Sequence, residues 1–283
     1  MSNWSFKAFS GNRSVPASIG LWPIRENTLN GGKMEDKDLY STIFKRKSIR
    51  KYELEPLDED KLKGIRDHIQ TLKPLHEGIK IEFKILPPDV VKRRTMREAP
   101  HYIAVFSEVK EGYLSNVGFM VQQMDLFFSA NGLGSCWQGI PALKKEGLAS
   151  SRLKFIILMP FGKPHETLHR TKPSQFKRKS LREISDIKGA DNLLETARLA
   201  PSARNAQEWF FTGDEQLIHA YYRKPNFIPG LLIKKYPPID VGISLYHLKL
   251  GAEHFGKEPE IIFDDPEDDD LNDYEYVASL RLK

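Results

Sequence analysis

Apolar residues recur along this chain in two rhythms, and the changes from one to the other mark its elements. Leu39, Ile43 and Phe44 share one face at helical period. Pro56-Leu57-Asp58 reads as the entry to a second helix, with Asp58 as cap and Leu62, Ile65 and Ile69 as its buried stripe. From Ile79 to Leu86 apolar and polar residues alternate, which predicts a strand stopped by Pro87-Pro88. His101 to Phe106 is a more continuously apolar strand. Residues 113–131 predict a long helix of little charge. Val117, Met120, Val121, Met124, Leu126, Phe127 and Phe128 cover so much of its circumference that it belongs at the centre of a domain. Gly132-Leu133-Gly134 ends it. Lys154 to Met159 is a further strand, closed by Pro160-Phe161-Gly162.

The same plan then recurs in shorter form. Leu193 to Leu199 is helical, and Trp209 to Thr212 and Leu217 to Tyr222 are strands. Ile239 to His254 is a second apolar helix, and Ile261 to Phe263 and Tyr276 to Leu282 are strands. Gly118 and Gly132 stand 14 residues apart, as do Gly242 and Gly256. The chain therefore reads as an α+β protein of two related halves, 34–170 and 171–283, joined near residues 163–185. The acidic run from Asp264 to Asp270 reads as a solvated loop. Residues 1–33 are rich in Ser, Asn and Gly and lack a period. They read as a tail before Met34, or as an arm anchored by Trp4, Phe6, Phe9 and Trp22.

Composition narrows the class. With 283 residues, 40% hydrophobic and 29% charged, the chain suits a folded soluble protein rather than a disordered one. No apolar run approaches the roughly 18–20 residues that span a bilayer, and no signal-peptide pattern opens the chain. A cytoplasmic location without membrane contact is expected. A single cysteine, Cys136, excludes an intrachain disulfide and a Cys-rich zinc site. Net charge is +5, but the basic residues are scattered among acids, which argues against nucleic acid. The histidines show no metal spacing: His165 and His169 are four apart but lie in a proline-flanked loop. Neither a P-loop nor a Gly-x-Gly-x-x-Gly turn is present.

Three segments carry candidate chemistry. Arg46, Ser48 and Arg50 put two guanidinium groups and a hydroxyl within five residues, a set that matches phosphate oxygens, although a solvated basic turn has the same composition. Ala200-Pro201-Ser202-Ala203-Arg204-Asn205-Ala206-Gln207-Glu208-Trp209 is a polar turn before an aromatic strand. Its Asn205 and Gln207 offer both donor and acceptor, as a flat hydrogen-bonding ring requires; an ordinary Asx turn is the plainer alternative. Gly134-Ser135-Cys136-Trp137-Gln138-Gly139 follows the buried helix, and its glycines allow close approach of backbone to a ligand. Cys136 lies in apolar context without a neighbouring base and reads as an inert buried thiol. A phosphate-binding motif together with a ring-binding turn points to flavin mononucleotide.

Taken together, the three segments resemble the flavin-dependent nitroreductase family. Its Arg-x-Ser-x-Arg motif is matched by Arg46, Ser48 and Arg50. Its Ala-Pro-Ser-x-x-Asn-x-Gln-Pro-Trp segment is matched by Ala200 to Trp209, with Glu208 in place of proline. Its Gly-Leu-Gly-(Ser/Thr)-Cys-Trp-x-Gly segment is matched by Gly132 to Gly139. The resemblance implies a three-layer α+β fold and an FMN-dependent transfer of hydride from NAD(P)H to a nitroaromatic or quinone-like small molecule. The cofactor supplies the chemistry, and no catalytic acid, base or metal is implied. By resemblance Arg46, Ser48 and Arg50 neutralise the phosphate, a backbone N–H near Gln138 faces the flavin N5, and Pro201, Ser202, Ala203, Asn205 and Gln207 hold the pyrimidine and ribityl groups. Cys136, Trp137, Gln138 and Gly139 run along the ring.

The order of the motifs departs from an ordinary member. In the family the Pro-Ser-Asn segment follows the arginine motif by about 25 residues within one repeat. Here that place holds Lys73-Pro74-Leu75-His76-Glu77-Gly78, and the intact copy is in the second half. Because two subunits build each site in the family, the chain is similar to a fused-repeat member: an intrachain pseudo-dimer, monomeric, with one complete site. Arg178-Lys179-Ser180-Leu181-Arg182 is either the second half's phosphate motif or, through Lys177 and Arg178, the basic pair that closes the first. A non-catalytic flavin-binding or sensor protein is the alternative to an enzyme.

Overall fold

A computed structural model describes residues 38–92, 98–139, 142–224, 235–266 and 271–283. The expected tail at 1–33 and the end of the acidic run, 267–270, lie outside the described residues. Helix α1 (Leu39–Ile43) starts where the Asp38 carboxylate accepts from the N–H groups of Tyr40 and Ser41. Helix α2 (Glu59–Ile69) starts the same way at Asp58, which accepts from Lys61 N at 2.9 Å. The stripe faces inward, with Ile65 fully buried. The expected strands follow as β1 (Ile81–Leu86) and β3 (His101–Ser107), with a two-residue β2 (Val91–Lys92) between them. Helix α3 (Tyr113–Ala130) is buried along most of its length. After it come β4 (Gly134–Ser135), β5 (Ala142–Leu143), helix α4 (Lys145–Leu148) and β6 (Lys154–Gly162). The first large sheet is antiparallel in the order β1-β3-β6-β4, and β2 pairs with β5 in a separate ribbon.

One boundary differs from the sequence reading. Pro160 does not close β6; the strand runs on to Gly162, with Pro160 opposite Tyr102. The Pro160 carbonyl accepts from Cys136 N at 3.3 Å, so its backbone polar edge faces the short β4 side. There the missing N–H breaks no bond to β3.

The remaining elements are α5 (Leu181–Ile184), α6 (Asp191–Arg198), β7 (Trp209–Gly213), β8 (Leu217–Arg223), α7 (Tyr236–His254), β9 (Pro259–Ile262) and β10 (Tyr274–Leu282). They form a second antiparallel sheet in the order β7-β8-β10-β9, the same pattern of connections as the first. The architecture is α+β: two antiparallel sheets with helices packed between and around them.

Helices α3 and α7 form the centre, and they touch through backbone. A Cβ on Gly118 would lie 2.0 Å from the carbonyl oxygen of Ile239, and one on Gly242 would lie 2.0 Å from that of Ser115. The contact is reciprocal, because each helix brings a glycine to the other's carbonyl. One buried polar chain ties α6 into this centre. His247 Nδ1 donates to Thr196 O at 2.9 Å, Thr196 Oγ1 donates to His247 O at 3.0 Å, and Gln122 Nε2 donates to His247 Nε2 at 3.0 Å. Both glutamine and ring are fully buried, and burial pushes His247 down to about 3. Among the described residues no helix is long and apolar enough to cross a membrane.

Candidate functional site

The arginine motif leaves α1 and runs beside the segment after β6. Arg170 N donates to Lys45 O at 2.7 Å, His165 N to Lys51 O at 2.9 Å, and Glu53 N to Lys163 O at 3.0 Å. Glu166 clamps the turn by accepting from Arg50 N at 2.9 Å and Lys51 N at 3.3 Å while pairing with Lys47. Burial opposes its charge, but these donors hold its carboxyl below the usual range. Ile49 N donates to Ser135 O at 2.9 Å, which sets the motif against the segment after α3. Gly134 is required there: a Cβ would stand 2.6 Å from the Ile49 side chain.

The turn after α6 arrives from the other side. Gln207 N donates to Ser202 Oγ at 3.0 Å, and Asn205 N to Ser202 O at 3.1 Å. Arg204, Asn205 and Gln207 all have positive φ (54°, 59° and 49°), a conformation that Asn tolerates and that costs the other two. External contacts hold it. Asp240 of α7 accepts from Ala203 N at 3.0 and 3.1 Å, Lys179 N donates to Gln207 Oε1 at 2.8 Å, and Arg178 donates to Asn205 Oδ1.

Between these three segments lies a pocket of about 210 Å³. Ser48, Arg50, Cys136, Trp137 and Gly139 line one side, and Pro201, Ser202, Ala203 and Arg204 another. Ile157 and one face of α7 (Tyr236, Ile239, Asp240 and Ile243) complete it. Arg50 is exposed and has no carboxylate partner among the described residues. The indole Nε1 of Trp137 and the hydroxyl of Tyr236 are buried without a hydrogen-bond partner. The Tyr236 ring lies against Gly139, where a Cβ would be 2.5 Å from its hydroxyl. Cys136 is 3% exposed, and burial pushes its thiol up, as suits an inert group.

Several residues expected in the site are turned away from it. Arg46 is 1% exposed and ion-paired with the equally buried Asp125 at 3.0 Å, and it does not line the pocket. The contact lacks hydrogen-bond alignment, and Asp125 Oδ1 accepts instead from Ser135 Oγ at 2.6 Å. Gln138 donates its N–H to Leu158 O at 3.0 Å, so this amide serves the sheet and not a ligand. The Asn205 side chain is taken by Arg178 and by Lys177 O, and that of Gln207 by Lys179 N and Asn205 O. Arg178 spends its guanidinium on Phe176 O, Leu199 O and Asn205, bracing the turn from behind. Burial and the nearby Arg46 and Arg170 pull it down to about 9. Ser180 caps α5 through Glu183. The α7 face and Arg204 were missed in the sequence. Asp240, a carboxylate within the apolar first half of its helix, was the available signal. Among the described residues no group of three or more His, Cys, Asp or Glu is placed to hold a metal ion.

The family described as "Putative TM nitroreductase" matches residues 38–252. The chain belongs to this nitroreductase family. A crystal structure from Thermotoga maritima, described as a "putative nitroreductase", shares this nitroreductase fold. It has a TM-score of 0.59 at 20% identity, over 92% of this chain and 96% of that one. Two further solved structures are similar over about half of this chain. One is a nitroreductase family protein of Clostridium novyi (23% identity, 45% of this chain and 86% of that one, TM-score 0.37). The other is an FMN-dependent nitroreductase of Clostridium difficile (18% identity, 48% and 93%, TM-score 0.41). No curated protein sequence matches the chain at a significant level.

Proposed function

We propose that the chain is an FMN-dependent oxidoreductase that passes hydride from NAD(P)H to a nitroaromatic or quinone-like acceptor. The observation that carries this reading is a set of donors around one pocket, two of them buried and unmet. Trp137 Nε1 and Tyr236 OH are buried without a partner, Arg50 stands exposed at the rim with no carboxylate partner among the described residues, and all three residues line the same cavity. Buried donors without partners cost stability unless a ligand supplies acceptors. An aromatic ring bearing carbonyl oxygens and a phosphate has the acceptors these groups lack, so the residues fit FMN. Ser48 and Arg50 bind the phosphate, with Arg46 supporting them through its hydrogen bond to Ser48 Oγ at 3.2 Å. Ile157, Ile239, Ile243 and Trp137 exclude water from the ring. Pro201, Ser202 and Ala203 form the opposite edge, braced by Arg178 and Asn205. Bound FMN supplies two-electron redox chemistry, and the protein supplies position and a dry wall.

The same reading includes one site per chain. In the place that corresponds to the pocket, the first half carries the 73–78 turn held by α3. Leu75 N and His76 N donate to Asn116 Oδ1 at 2.8 and 3.1 Å, and Lys73 exchanges hydrogen bonds with Gln123. His76 then stacks on Phe263 with ring centroids 4.2 Å apart. On this reading the stacked rings close the second site. These contacts, the matching strand orders and the reciprocal glycines support a fused pseudo-dimer with a single open site.

The test is the visible absorption spectrum of the purified protein with and without added FMN, followed by NADH and NADPH turnover with a quinone and a nitroaromatic. Bound flavin at about one per chain, with turnover above that of free FMN, is the expected result. Bound flavin without turnover favours a sensor, and a colourless protein that FMN does not perturb removes the flavin reading altogether.

A further inference from the structure

Asp240 is 4% exposed and stands on the α7 face that lines the pocket, between Ile239 and Ile243. Both of its oxygens face a single donor, Ala203 N. The molecule contains its own comparison. On α3 the corresponding task, holding the 73–78 turn, is done by the neutral amide of Asn116, which accepts from two backbone N–H groups. Holding a turn therefore does not require an acid. The acid is found only where the pocket is open, and it has hydrogen-bonding capacity that the turn does not use.

An ionised carboxylate in this position would be short of donors. A buried charge with one neutral N–H partner is unfavourable and takes up a proton instead. Burial raises this carboxyl well above its ordinary range, and Glu208 adds to the effect. The other titratable or charged groups of the pocket wall are Arg50, Cys136, Arg204 and Tyr236. The two arginines favour the ionised form but belong to its exposed rim.

We propose that Asp240 stands in the pocket wall as a neutral carboxyl and donates its O–H to a carbonyl-type oxygen of the ligand. A carboxylic acid kept neutral by an apolar site is a known way to obtain a strong hydrogen-bond donor at neutral pH. The group is thus a specificity residue: it favours ligands that present an acceptor there and disfavours those that present a donor or a negative charge. This rests on the flavin reading above for the identity of the probe, though not for the state of the acid.

Riboflavin is the probe, because it carries the flavin ring without a phosphate that titrates. Its affinity is measured against pH for the wild type, Asp240→Asn and Asp240→Leu. The Asn variant keeps the acceptor for Ala203 N and a permanent donor for the ligand. Wild-type affinity is expected to fall about tenfold as pH rises through the titration of Asp240. Asp240→Asn is expected to hold the low-pH affinity throughout, and Asp240→Leu to be weak at every pH. A wild-type affinity that does not change with pH, with Asp240→Asn weaker than it, would mean that the ionised acid binds the ligand and would overturn the proposal. A second measurement does not depend on flavin. The infrared difference between ligand-free wild type and Asp240→Asn at neutral pH is expected to show the carbonyl band of a protonated carboxyl. Its absence overturns the proposal. Its presence in a protein that binds no riboflavin sustains the neutral acid and removes only the flavin reading.

Discussion

Arg46 and Arg50 have the same chemistry and sit four residues apart, yet the fold uses them differently. Arg46 is sealed against Asp125, and removing one member of such a buried pair leaves an uncompensated charge. Arg46→Ala is therefore expected to cost about 3–5 kcal/mol of stability, read as a lower urea midpoint. Arg50 lies at the exposed pocket edge, and Arg50→Ala is expected to change stability by less than about 0.5 kcal/mol. Its effect belongs to the ligand: FMN affinity should fall roughly tenfold to a hundredfold, the worth of a charged hydrogen bond, while riboflavin affinity stays level. Equal losses for the two ligands would show that Arg50 does not read the phosphate. Residue types were legible here, since Ser48, Arg50, Cys136, Trp137, Gly139 and Pro201 to Ala203 do converge. Orientation was not. Asn205 and Gln207 look like ring-binding amides in sequence, but nearby basic residues and backbone groups claim both side chains.

At the scale of elements, periodicity identified every long helix and strand, because a buried face imposes its spacing on the sequence. The two-residue strands β2 and β5 and the four-residue helices α4 and α5 are too short to show a period and exist through their partners. The polar chain at the α3–α6–α7 junction was equally hidden, because His247 and Gln122 are ordinary helix residues until the helices meet. That junction has a consequence for pH. His247 is pushed down to about 3 when folded but titrates near 6.5 when unfolded. The unfolded chain therefore takes up the proton first. The stability contributed by the neutral ring is fully present above 6.5 and is lost as pH falls from there toward 3. His169, pushed down to about 4 mainly by burial, acts in the same direction, so the wild type alone cannot isolate the effect. The difference between proteins can. His247→Gln is expected to be less stable at neutral pH, and its loss of stability between about pH 6 and about pH 4 should be shallower than the wild type's by about 1.4 kcal/mol per pH unit. Urea midpoints at several pH values measure both slopes, and parallel slopes would show that the ring is not kept neutral.

The scale of the whole molecule is where motif order matters more than motif content. The three site segments are spread over more than 150 residues, yet they meet because the central helices α3 and α7 lie glycine to carbonyl and bring the second half's turn against the first half's arginine motif. In a protein built from two separate copies, the same geometry produces two equivalent sites. In the proposed pseudo-dimer the second is closed from within. Phe263 and His76 stack on each other, and Asn116 and Gln123 fix the turn that carries His76. A chain that already supplies both sides of its site does not need a partner to complete it. The proposed pseudo-dimer therefore predicts a particle of one chain mass that binds one flavin. Light scattering across a range of protein concentrations, combined with flavin titration of the same samples, checks both numbers together. One chain and one flavin is the expected outcome. Two flavins per chain would mean that the His76–Phe263 stack opens. A dimer whose flavin is lost on dilution to monomer would mean that the site is shared between chains, and the fused reading would be wrong.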